Sequence, residues 1–172
     1  MISVFDGPNG AGKTTLIAEL VARSPKTSVI IHNGPSEDPL KDYTSQLRQA
    51  LSDDCEGIDT YLDRFNMGEQ IYPYIHERMK KIDAVTDELL MQIGVSLGVH
   101  WFVLCPPVPR LIANHVARLE EFDPTTLTHE RDWFFQIARK HAYAWPKNVH
   151  IAAADESIES LIDWVESFRP VV

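Results

Sequence analysis

The chain has 172 residues, with 16 Lys and Arg against 25 Asp and Glu, for a formal net charge of −9. A hydrophobic fraction of 44% beside 24% charged residues supplies enough apolar material for one compact domain, which excludes disorder as the main state and makes a second domain cramped. The acidic balance argues against avid non-specific binding to nucleic acid, although it leaves room for a local basic pocket.

Apolar and β-branched runs alternate with helical patterns, the signature of βαβ units around a parallel sheet. In chain order the pattern predicts strand Ile2–Asp6, helix Thr14–Arg23, strand Ser28–His32, helix Pro39–Leu51 and strand Ile58–Asp63. Helices Met67–Met79 and Ala84–Ser96, strand Val99–Cys105, helices Pro109–Glu120 and Thr128–Ala144, strand Val149–Ala152 and helix Ser157–Phe168 follow. Leu40, Tyr43, Leu47 and Leu51 recur every three or four residues, which gives one helix a buried face. No repeat or linker divides the chain, so residues 1–172 are expected to form one three-layer α/β domain of the P-loop NTPase kind, around about five parallel strands. The polar segment Phe122–Glu130 lies between two helical patterns and reads as a mobile lid or as a plain connecting loop.

Cys55 and Cys105 make neither a disulfide framework nor a CxxC metal site. No basic leader precedes an apolar run, and no stretch reaches the roughly 18–20 apolar residues that span a bilayer. These features lead to the expectation of a soluble, cytoplasmic protein.

Gly7-Pro8-Asn9-Gly10-Ala11-Gly12-Lys13-Thr14 matches GxxxxGK[ST] at every specified position, directly after one predicted strand and before one predicted helix. Glycines let backbone N–H groups approach phosphate oxygens, and the helix N-terminus adds donors and a positive dipole end. Gly7, Asn9, Gly10, Ala11, Gly12, Lys13, Thr14 and Thr15 are therefore the candidate nucleotide-binding residues, with ATP and Mg²⁺ as cofactors. Lys13 would neutralise the β- and γ-phosphates, and the Thr14 hydroxyl would ligate Mg²⁺. At the end of the third strand, Asp63 could hold Mg²⁺ or accept a proton from an attacking hydroxyl, and Arg64 could clamp a phosphoryl group. An ordinary ion pair closing the strand would look the same. Phe65, Tyr72 and Tyr74 could stack a base or fill the core, whereas Trp133, Phe134 and Phe135 read as core.

Together, Phe5–Thr15, Asp63-Arg64-Phe65 with Gly68-Glu69 and Tyr72, and Asn33–Pro39 resemble the P-loop nucleotide kinases of the thymidylate-kinase-like group, especially the short bacteriophage forms. The resemblance implies that Asp63 and Arg64 sit where donor and acceptor meet. It also implies that Arg118 and Arg131, flanking 122–130, are lid arginines that stabilise the transferring phosphoryl group. By the same resemblance, the turn Ala152–Asp155 is the place that holds the adenine, and a homodimer is allowed for, since kinases of the group are often dimers. Two features depart from the group: Asn9 replaces an acidic loop residue, and no Arg follows the second strand. The acceptor implied is a deoxynucleoside monophosphate, thymidylate-like. The alternatives are the hydroxyl of 5-hydroxymethyluracil in phage DNA, or no acceptor at all in a P-loop ATPase switch. A DNA acceptor requires basic residues such as Arg78, Lys80, Lys81, Arg110, Arg139 and Lys140 to ring the crevice.

Overall fold

A computed structural model of the chain describes residues 1–76 and 82–169. Its elements run β1 (Ile2–Asp6), α1 (Lys13–Arg23), β2 (Ser28–His32), α2 (Pro39–Cys55), β3 (Asp59–Asp63), α3 (Asn66–Ile75), α4 (Ala84–Ser96), β4 (His100–Leu104), α5 (Val108–Ala117), α6 (Pro124–Ala144), β5 (Val149–Ala152) and α7 (Ile158–Glu166). The five strands are all parallel and ordered β2-β3-β1-β4-β5. Chain connections leave the central β1 toward opposite edges, so a crevice opens above its carboxyl end, where ligands of open α/β sheets collect.

Side-chain alternation along the strands builds two cores. Val4, Leu62, Trp101 and Val103 face α2, α3, α4 and α6, while Phe5, Tyr61, Phe102 and Leu104 face α1, α5 and α7. Because both faces are covered, the inner strands read as near-continuous apolar runs. Among the described residues no helix is long and apolar enough to cross a membrane.

Helix starts follow local chemistry. Asp38, Asp83, Asp123 and Ser157 each accept a backbone N–H of the helix they precede, satisfying donors that have no partner inside the helix. The Asp123 cap corrects the sequence reading of 122–130. Its carboxylate takes the N–H groups of Thr125 and Thr126 at 3.3 and 2.7 Å, and Pro124 occupies the first helical position, where its fixed φ suits the turn. Residues 124–130 are thus the opening turns of α6, and the connection from α5 is only 118–123. The helix expected over Met67–Met79 runs Asn66–Ile75; its expected end lies outside the described residues, as do Arg78, Lys80 and Lys81.

A buried polar network ties α3, α4 and α6 to the sheet. Trp101 Nε1 donates to Asn66 Oδ1 at 3.2 Å, and Asn66 Nδ2 donates to Asp87 Oδ1 at 2.6 Å. His141 Nε2 stands 3.0 Å from Asp87 Oδ2, an ion-pair contact rather than an aligned hydrogen bond. All four residues are buried. Removing the carboxylate strands an amide and an imidazole in the core, so Asp87→Ala should destabilise the fold by about 3 kcal/mol or more in urea unfolding. A loss below ~1 kcal/mol would show that water or repacking replaces the network.

Candidate active site

The loop after β1 is shaped by close backbone approach. A Cβ on Gly7 would lie 2.2 Å from the Leu104 carbonyl oxygen, so only glycine lets β1 turn beside β4. Gly12, at φ 89°, adopts the left-handed conformation that starts α1. Lys13 is buried, and its Nζ donates to the carbonyls of Gly7 and Pro8, each at 2.8 Å. Burial, reinforced by the Arg64 guanidinium, lowers its ammonium to about 8. The lysine is therefore a cation held inside its own loop with incomplete compensation, and an anion brought to the loop supplies the missing charge.

The end of β3 converges on the same loop. Thr14 Oγ1 donates to Asp63 Oδ2 at 3.1 Å, and His32 Nδ1, from the end of β2, lies 2.9 Å from that oxygen. Asp63 Oδ1 is buried without a hydrogen-bond partner. A hydroxyl beside a carboxylate with one uncommitted oxygen suits a hard divalent cation such as Mg²⁺, which takes few protein ligands and fills the rest with phosphate and water. Arg64 follows at φ 69°, a left-handed conformation that costs a non-glycine residue roughly 1–2 kcal/mol. Four bonds hold it there. Its N–H donates to Phe5 O at 2.9 Å, the next N–H (Phe65) donates to Asp6 Oδ1 at 3.1 Å, Asn33 Nδ2 donates to its carbonyl at 2.6 Å, and its Nη2 donates to Asn9 Oδ1 at 3.0 Å.

Three cavities meet at this junction. One of about 720 Å³ is lined by the loop from Asn9 to Thr15 with Arg64 and Arg118. A second, of about 270 Å³, continues past Gly12, Thr15 and Arg118 to Arg110, Ala152, Ala154 and Asp155. The turn singled out in the sequence thus lies where the base of a loop-bound nucleotide would extend. The third, about 70 Å³, opens on the other side of Arg64 and is walled by Asn9, Asn33, Tyr43, Phe65, Glu69 and Tyr72, among others.

The expected site residues therefore come together with one exception. Gly7, Asn9, Gly10, Ala11, Gly12, Lys13, Thr14 and Thr15 form the loop, and Asp63, Arg64 and Arg118 face it. Arg131 does not line these cavities. Its Nη1 pairs with Asp132 at 3.1 Å and its guanidinium lies 4.9 Å from the Phe135 ring centre. Tyr74 is likewise out of reach, edge-on to Trp133 at 5.9 Å, and Trp133 itself is exposed where core was expected. Of the basic residues named above, Arg110 lies at the second cavity opposite Asp155, and Arg139 lies along α6 near Phe135; among the described residues no basic ring surrounds the crevice.

Glu130 was missed altogether. It is buried, and its Oε1 accepts the Asn9 N–H at 2.6 Å across 121 residues of chain. No local signal marks it, because its partner is a backbone N–H that any non-proline residue at position 9 would supply. Asp6 was missed too. Burial raises its carboxyl from 3.8 to about 6, against the opposing pull of the Phe65 N–H and Lys13, and its Oδ2 has no partner.

No protein-family model matches the chain, and no curated protein matches it. Solved structures do. The chain is similar to deoxyadenosine kinase from M. mycoides with bound dATP, at 13% identity over 97% of this chain and 98% of that one, with a TM-score of 0.60. It is similar to the YorR protein of Bacillus subtilis in complex with phosphorylated GDP, at 12% identity, coverages of 97% and 94%, and a TM-score of 0.67. Thymidylate kinase from Candida albicans matches at 14% identity, coverages of 96% and 89%, and a TM-score of 0.58. The chain has the fold shared by these structures, two of which are kinases.

Asp6 gives a test of the electrostatics. Its folded pKa of about 6 lies above 3.8, so folding favours the protonated form. The stability that protonated Asp6 contributes should therefore fall by about 3 kcal/mol as pH rises from below 4 to above 6. Asp6→Asn keeps an acceptor for Phe65 and cannot ionise, so its stability relative to wild type should grow across that window in denaturant titrations. A difference independent of pH would mean that Asp6 is not held in this way.

Proposed function

We infer that the chain is an ATP- and Mg²⁺-dependent phosphotransferase whose acceptor is of nucleotide type. The observation that carries this reading is a shared wall: Asn9 and Arg64 line both the cavity over the phosphate loop and the smaller cavity beyond β3. A donor phosphate on one side and an acceptor on the other would meet at Arg64. A hydrolytic switch needs no second cavity there.

The chemistry follows from the residues. Loop N–H groups and Lys13 hold the β- and γ-phosphates, while Arg64 and Arg118 spread over the charge of the moving phosphoryl group. Thr14 and Asp63 would hold Mg²⁺, which neutralises phosphate charge and orients the transferring group. Glu130 from α6 and Tyr72 from α3 pack against Asn9, closing that flank against water. The solved kinases of this fold include one named for a nucleoside and one for a thymidylate, and a deoxynucleoside monophosphate remains the acceptor class implied by sequence resemblance. A second reading, transfer to the hydroxyl of a free deoxynucleoside, is favoured by the acceptor wall: Arg64 is its one Lys or Arg among the described residues, and it shares the wall with Glu69.

With γ-labelled ATP, label should appear in a deoxynucleoside or its monophosphate, and Lys13→Ala should cut the rate by on the order of 10²–10³ or more. Label released only as inorganic phosphate would support a switch instead, and label only in hydroxymethyluracil DNA would overturn the small-molecule acceptor.

A further inference from the structure

The far wall of the acceptor cavity continues into an open groove of about 380 Å³, with which it shares Asn33, Gly34, Pro35 and Tyr43. The hydrogen bonds along this wall run in one direction. Arg64's carbonyl can only accept, so Asn33 presents its Nδ2 to it at 2.6 Å and turns its Oδ1 toward Gln46. Gln46 must answer with its Nε2, also at 2.6 Å, which leaves its Oε1 buried without a partner. Tyr43 donates its hydroxyl to Glu69 Oε1 at 3.2 Å, the Ser36 N–H donates to the same oxygen at 3.2 Å, and the Ser36 hydroxyl donates to Asp42 at 2.7 Å. These donors are committed to neighbours. The wall that remains offers acceptors in the carboxylates of Glu69 and Asp42, while the orphaned oxygen of Gln46 is buried behind it.

An ionised carboxylate can only accept hydrogen bonds. With the sugar end of the acceptor directed toward Arg64 and the loop, the base falls against this wall. Adenine and cytosine present an exocyclic amino group and guanine an N–H beside an amino group, whereas thymine sets carbonyl oxygens on both sides of its single N–H. Oxygen facing oxygen is repulsive and leaves both acceptors unsatisfied. We propose that the wall carrying Glu69 and Asp42 reads the acceptor base through hydrogen bonds that the base donates, so that the enzyme takes amino-bearing bases in preference to thymine. This rests on the acceptor reading given above and names the substrate class of that site. Glu69 is the specificity-determining residue, standing in the first turn of α3 where its Oε1 already holds Tyr43 and Ser36.

The test compares deoxyadenosine, deoxycytidine, deoxyguanosine and thymidine, and their 5′-monophosphates, as acceptors with MgATP. Their binding is also measured by calorimetry on the protein loaded with a non-hydrolysable ATP analogue. At least one amino-bearing base should exceed its thymine counterpart by ~10-fold or more in kcat/KM and in affinity, the discrimination expected when buried polar groups lose their partner. Glu69→Gln keeps the acceptor for Tyr43 and Ser36 but adds a donor, so it should shrink that ratio several-fold while ATP affinity stays unchanged. Thymine equal to or better than every amino-bearing base in the wild type, a comparison that needs no variant to fold, overturns the proposal; so does an unchanged ratio in Glu69→Gln. If ATP binds but no acceptor in either series binds or is phosphorylated, the phosphotransferase reading itself fails and the proposal falls with it.

Discussion

Arg64 is held in a left-handed backbone conformation by the strand beside it, and the geometry of the whole site depends on that constraint. β1 and β3 pair in register from Ile2 with Thr60 to Phe5 with Asp63. At the end of that ladder the Arg64 N–H reaches back to Phe5 O and the Phe65 N–H reaches to Asp6. The chain can satisfy both bonds and still enter α3 only by reversing at Arg64. The reversal sends Asp63 toward Thr14 and the guanidinium toward Asn9, so one turn ties the end of β3 to the phosphate loop and divides the crevice in two. Strain of a few kcal/mol or less persists at such a point only because packing over-determines it, and here Asn66, the next residue but one, is locked into the buried network of Trp101, Asp87 and His141.

Electrostatics around the turn obey one logic. Lys13 and Asp6 are both buried and both shifted toward their neutral forms by desolvation, to about 8 and about 6. Each is partly rescued by the other's charge, yet neither is matched in full. A site of uncompensated buried groups is poor for stability and good for binding a multivalent anion with its cation, because ligand charge then does what solvent cannot. The cavities over the loop are mixed in charge, with Lys13, Arg64, Arg110 and Arg118 among Glu120, Glu121, Asp155 and Glu156. Beyond Arg64, Glu69 and Asp42 stand along the wall and Glu130 lies behind Asn9. The net charge of −9 said nothing of this distribution.

The parts of this arrangement legible from the chain were those encoded locally. The strands stood out because β-branched and aromatic runs buried on both faces leave a dense apolar record, and β1, β2 and β5 have the bounds read from sequence. The phosphate loop was legible because glycine spacing there is dictated by backbone approach. What stayed hidden was encoded at long range. Glu130 gains its meaning from Asn9, 121 residues away, and His32 from Asp63 across a strand pairing. The polar opening of α6 read as loop because threonines and a proline suppress helix propensity, while the aspartate cap and the proline at the first position, which start the helix, occupy only two residues. Arg131 was assigned to the crevice by family resemblance, as an arginine flanking that segment, and nothing local to it encodes its contacts with Asp132 and Phe135.

The central claim is that donor and acceptor sites are joined end to end at Arg64. It is tested most directly by the affinity of a dinucleoside oligophosphate, an adenosine and a deoxynucleoside linked through five phosphates, measured against ATP on the same protein. Joined sites convert the second contact into an intramolecular one, so the linked compound should bind ~10²-fold or more tightly than ATP, and Arg64→Ala should remove most of that gain. Equal affinities for the linked compound and ATP would contradict the account.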